Sequence, residues 1–167
     1  MKNLKYMSKV EVKMNENEFR FNPFNIEKWD NEQIKEQYSI LENQLLFDDL
    51  PVAIANDIDV YSSLGYLIGE MISRYFQETN ILDATLKVNI SNAIYKERET
   101  WVKMHDDKAP AMSYFENKVR AMYLEESLEL IDKESKLKRW KYAYESVELK
   151  QNALKKKLES FKYDGYK

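Results

Sequence analysis

A chain of 167 residues with 3 Gly and 3 Pro has too few turn formers for a β-sandwich or a doubly wound sheet. The absence of Cys excludes disulfides, thiolate metal sites and Cys nucleophiles. A charged fraction of 33% with a formal net charge of -3 suits long solvent-bathed helices.

Residues 1–24 differ from the rest. Val10, Val12 and Met14 alternate with Lys9, Glu11 and Lys13, then Phe19 and Phe21 alternate with Glu18 and Arg20 across Asn15-Glu16-Asn17. Period-two alternation around an Asn-rich break predicts a β-hairpin arm over residues 1–25, closed by Asn22-Pro23-Phe24-Asn25. Residues 26–167 then form a helical domain. A short helix is predicted over Asn31–Leu46, with Ile34, Tyr38, Leu41 and Leu45 on one face and Phe47-Asp48-Asp49 as its break.

Pro51 opens the next helix, with Asp49 as its predicted cap. No strong breaker follows until His105. Ile54, Ile58, Tyr61, Gly65, Ile68, Ile72, Tyr75, Thr79, Leu82 and Leu86 step by four and three, and Ile90, Ile94 and Trp101 continue the stripe. That is a coiled-coil seam on a rod roughly 80 Å long, and a rod cannot bury its own stripe. His105–Pro110 is the predicted turn, and Ser113 with Glu116 is a capping-box pattern opening a second long helix. Its closing seam is Leu137, Trp140, Tyr144, Val147, Gln151, Leu154, Leu158 and Phe161, with Gln151 as a register-fixing polar residue. The expected fold is all-α: two long antiparallel helices in an αα-hairpin, a short helix and the arm. Leu64, Leu67, Met71, Phe76, Met122, Leu128 and Ile131 lie off the seams. This apolar excess predicts further helices from other copies, hence a homo-oligomer.

Charge is polarised. Acids dominate from Asp30 to Ile72, opposed by Lys35 alone, whereas bases dominate from Lys133 onward. Such polarity favours antiparallel or head-to-tail contacts, or a basic face for a polyanion. Lys138, Arg139 and Lys141 share an outer face with Tyr142, and Lys87, Tyr95, Lys96, Arg98, Trp101 and Lys103 form a second mixed set. Cations neutralise phosphates, and aromatic faces stack on unpaired bases.

Other motifs read as structural. His105 lacks companion ligands at helical spacing. Gly65-Tyr66-Leu67-Ile68-Gly69 suggests close helix packing. Glu126/Glu129 and Glu145/Glu148 have the i, i+3 spacing that holds magnesium in helical nucleotide pyrophosphatases. They lack the usual terminal Asp and read as solvated helix glutamates. No catalytic residue, metal or cofactor is expected. The most apolar stretch, Val60–Ile72, is too short to span a bilayer, and the first residues lack an apolar signal core. A cytoplasmic protein without membrane contact is expected.

Over residues 49–161 the order of features resembles the phage recombination mediators of the UvsY type. The resemblance rests on an early long helix ending in Ala93-Ile94-Tyr95-Lys96-Glu97-Arg98-Glu99-Thr100-Trp101, a polar turn, Ser113–Val119, and a closing helix carrying Arg139-Trp140-Lys141-Tyr142 and Leu158–Phe161. It implies a helical homo-oligomer that binds single-stranded DNA, displaces a single-strand-binding protein and loads a recombinase, in the host cytoplasm if phage-encoded. A K-x-R with a following aromatic is implicated in DNA binding in that family and maps here to Lys96 and Arg98, with Lys87, Lys103, Lys138, Arg139 and Lys141 as helpers. The arm and the Asn31–Leu46 helix are additions to the family pattern. A different reading is a non-enzymatic helical scaffold or adaptor whose arm adds a strand to a partner.

Overall fold

The computed structural model describes residues 23–105 and 109–163. The expected hairpin over Val10–Phe21 lies outside them. A 3-10 turn, Pro23–Lys28, leads into α1 (Asn31–Glu42), α2 (Pro51–Met104), α3 (Met112–Met122) and α4 (Leu124–Tyr163), with no strand among the described residues. None of these helices is long and apolar enough to cross a membrane.

Helix α1 starts on a reciprocal cap. The Asp30 carboxylate accepts the Gln33 backbone N–H at 2.8 Å, and the Gln33 side chain accepts that of Asp30 at 2.9 Å. It ends at Glu42, four residues before the predicted Leu46. The reason is Asp57, whose buried carboxylate collects the N–H groups of Leu46 at 2.8 Å and Phe47 at 3.0 Å. Those donors are thereby lost to any helical ladder.

Helix α2 spans 54 residues from Pro51, roughly 80 Å. The cap position is Leu50, with no side-chain capping bond. Asp49, the expected cap, pairs instead with Lys157 of α4. Along the predicted seam Ile54, Tyr61, Ile68, Thr79 and Leu86 are buried, and the remaining members are half-buried.

The return arm of the helical hairpin is broken in two. Helix α3 begins at Met112 with Ala111 at its cap, so Ser113 falls inside the first turn and the expected Ser113–Glu116 box does not form. Tyr123 (φ -105°, ψ 26°) separates α3 from α4. Helix α4 runs antiparallel to α2. Lys157 meets Asp49, Gln151 reaches the Ser62 hydroxyl and the Ile58 carbonyl, and Lys133 donates to Glu78 at 2.7 Å. Gln151 therefore bonds across to α2 from its place in the seam. The acidic early segment and the basic late segment lie against each other within one chain.

The core lies where α1 joins the hairpin. Leu64, Leu67, Ile68 and Met71 of α2 pack with Ile34 and Leu41 of α1, Val147 of α4, and Ile26. Burying each aliphatic side chain contributes about 1.5–3 kcal/mol. Leu64, Leu67 and Met71, counted above as excess, are covered by the chain's own α1 and 3-10 turn. Phe76, Met122, Leu128 and Ile131 do remain exposed. Arg74 fastens the 3-10 turn to α2, bonding the Ile26 carbonyl at 3.0 Å, Asn31 at 3.2 Å and Glu70 at 2.7 Å.

Candidate nucleic-acid interface

Among the described residues, the hairpin beyond residue 76 is only two helices thick, because α1 reaches no further than Arg74. Each helix there has an inner side facing its neighbour and an outer side facing solvent. In α2 the inner side carries Leu86, and Tyr95 lies about 180° around the helix from it, at 100° per residue. Tyr95 is accordingly exposed. Lys96 and Lys103 fall about 80–100° to one side of Tyr95, and Lys87 and Arg98 about 60–80° to the other. All four are exposed.

These cations are not equivalent. Lys87 is bound to Asp83 at 2.7 Å and Lys103 to Glu99 at 2.9 Å. The hydrogen bond from Lys103, aided by its charge, holds the Glu99 carboxyl below its ordinary range. Lys96 and Arg98 make no ion pair with any described residue. An unpaired surface cation gives up the least when it moves onto a phosphate.

The second predicted group does not join the first. Lys138, Arg139 and Lys141 are exposed on α4. The Lys133–Glu78 contact fixes the level of the two helices, so Arg139 stands about 36 Å along the rod from Lys96. Lys138 lies over the Tyr142 ring, 5.7 Å from its centroid. Arg139 and Lys141 are unpaired among the described residues. The seven residues thus make two separate basic sites, on two helices.

The aromatic residues divide as well. Trp101 and Trp140 are half-buried. Trp140 meets Tyr38 of α1 edge-on at 6.3 Å, while Trp101 meets Tyr114 at 5.9 Å and Phe115 at 6.3 Å. Both serve packing. His105 closes α2, with its ring stacked on Trp101 at 4.1 Å.

One expectation fails on geometry. Gly65 and Gly69 do not mediate a close crossing: a Cβ on Gly65 would lie 3.9 Å from Val147, and one on Gly69 would meet nothing within 4 Å. With Tyr66 and Tyr144 they line an open groove of about 520 Å³. The glutamate pairs Glu126/Glu129 and Glu145/Glu148 sit on the one helix α4, about 28 Å apart at 1.5 Å per residue. No group of three metal-ligating side chains occurs among the described residues.

One feature of the face escaped the sequence reading. Ile81, Val88, Tyr95 and Val102 recur every seventh residue on the outer side of α2, and are 59%, 59%, 63% and 55% exposed. The signal was present as a step of seven, but the stronger stripe ending in Leu82, Leu86 and Ile90 masked it.

Comparison with protein-family models, with curated proteins and with solved structures finds no match for this chain.

Proposed function

We propose that this protein is a non-enzymatic recombination mediator that binds single-stranded DNA as a homo-oligomer and helps load a recombinase. The observation that carries the reading is the exposed pair Lys96 and Arg98 on α2, free of ion pairs among the described residues and separated by a single residue. Consecutive phosphates are gripped by cations on such a face, with Lys87 and Lys103 joining once their carboxylate partners are exchanged for phosphate. Each contact is weak, and the net charge of -3 keeps single-copy affinity low. Several copies on one strand multiply it through effective concentration. The chemistry is displacement and positioning, so it assigns no catalytic residue, cofactor or metal. The single-strand-binding protein and the recombinase are the partners this role requires.

Fluorescence anisotropy of labelled oligo-dT at low salt tests the reading. Binding is expected, weakening steeply with salt and at least tenfold in Lys96→Ala/Arg98→Ala. An absence of binding by the assembled protein ends it.

A scaffold or adaptor role is the second reading. It is favoured by the exposed Leu124, Leu128 and Ile131 on the outer side of α4, an apolar strip that DNA binding does not use. A pull-down partner lost on removal of residues 1–24, with DNA binding retained, separates an arm-borne adaptor role from the first reading.

A further inference from the structure

We propose that the outer face of α2 from Gln77 to Val102 is a homodimer seam, filled by the same stretch of a second copy running antiparallel about a two-fold axis. The claim rests on apolar geometry and stands whether or not the protein binds DNA.

The spacing is that of a two-stranded coiled coil. Ile81, Val88, Tyr95 and Val102 occupy one heptad position, while Ala84, Ser91 and Arg98 occupy the position three residues on. Leu86 and Thr79, on the opposite side of the helix, are buried, so the outer seam is free of the hairpin's own packing. The exposed side chains of the four large residues make an apolar strip of a few hundred Å² per copy, within the range of the largest and often functional patch on a monomer. Pairing two copies with their flanking stems covers on the order of 1,200 Å², the lower bound of a specific interface.

Side-chain size selects the direction and register. In the antiparallel register that sets Val88 against Ser91 of the partner subunit, Tyr95 packs over Ala84 of the partner subunit, so each large residue meets a small one. Ile81 then lies beside the aliphatic stem of Arg98 of the partner subunit, at the end of the seam where the guanidinium can reach water. Lys103 comes level with Glu78 of the partner subunit, an opposite charge on the same rim. A parallel pairing instead stacks Arg98 on Arg98 inside the seam, a like-charge contact that the antiparallel register avoids.

Pairing hides Tyr95 but leaves Lys96 outside the seam, on a rim that both copies line. One dimer therefore presents Lys96 of both chains on one side.

Sedimentation equilibrium of the full chain at 5–50 µM tests the seam, with Val88→Glu/Tyr95→Glu as the disrupting variant and Leu149→Glu on α4 as the control. Both variants alter exposed positions, so circular dichroism is expected to show unchanged helicity. The expected result is that the disrupting variant loses a factor of two in mass and the control loses none. Because the chain has no native Cys, single cysteines report direction. A short bismaleimide is expected to cross-link Ser91→Cys across the axis and to leave Val102→Cys uncoupled, the latter pair lying about 37 Å apart. Equal cross-linking at both positions overturns the antiparallel arrangement. A full chain that sediments as one subunit, or a Val88→Glu/Tyr95→Glu variant of unchanged mass, overturns the seam itself. Loss of oligo-dT binding without loss of mass assigns the face to nucleic acid alone and likewise overturns it. Lys96→Ala, which lies outside the seam and is expected to keep its mass, separates failure of DNA binding from failure of pairing.

Discussion

The Asp57 carboxylate accepts the backbone N–H of Phe47 at 3.0 Å, ten residues upstream, and holds Phe47 in the left-handed region at φ 51°. The second carboxylate oxygen takes the N–H of Leu46 at 2.8 Å. A single buried acid on α2 thereby turns the chain between α1 and α2 and sets how α1 lies on the core. Hydrogen bonds to a charged group contribute about 1.5–3 kcal/mol each. Asp57→Ala is expected to destabilise the fold by about 3 kcal/mol in urea denaturation at fixed protein concentration. A loss under about 1 kcal/mol would mean that the α1–α2 connection is held by something else.

The glycines of α2 lead to a prediction of opposite sign. Neither Gly65 nor Gly69 has a neighbour that an added methyl would strike, and Gly inside a helix costs about 0.5–1 kcal/mol relative to Ala. Gly65→Ala and Gly69→Ala are each expected to raise stability by about that amount. Destabilisation at Gly69 would show that another segment enters the groove beside it.

Tyr61 supplies a pH signature. Burial, followed by the negative charge of Asp57 and then Glu42, raises its phenol above the ordinary value. Burial, followed by Glu42 and Tyr61, does the same for Tyr38. A phenol whose folded pKa is raised contributes stability that is complete below the unfolded value, about 10. That contribution is lost as pH climbs through the folded value. Stability is therefore expected to fall on the alkaline side above pH about 10, and Tyr61→Phe is expected to flatten part of the fall. Tyrosinate absorbance against pH, recorded beside helicity, checks it; a Tyr61→Phe profile that overlays the parent would count against the assignment.

Salt dependence separates the two basic sites. Each phosphate contact on a single strand adds about 0.7 to the slope of log affinity against log salt. Lys96→Ala/Arg98→Ala is expected to reduce that slope by about 1.4, whereas Lys138→Ala/Arg139→Ala/Lys141→Ala, acting at the distant site on α4, is expected to change it less. The reverse order would move the DNA path from α2 to α4.

The long elements were legible in the residues alone. Pro51 at the start and the lack of a breaker up to His105 define α2, because helix continuity is a local property of backbone and neighbouring side chains. The inner seams were legible for the same reason: a period of 3.5 survives in the sequence however the helix is later packed. Which groups pair with which came from the packing of the helices. Leu64, Leu67 and Met71 looked like surplus because nothing local announces that α1 will cover them. Asp49 and Ser113 carry good capping chemistry, but Lys157 and an earlier helix start took them elsewhere. Asp57 reads as one more acid on a charged helix until the fold delivers two backbone donors to it. The separation of Lys96 and Arg98 from Lys138, Arg139 and Lys141 depends on how far two rods slide past each other. That register is set by Gln151, Lys133 and Lys157 meeting residues 55 to 108 positions away, a relationship between distant side chains that no local periodicity encodes.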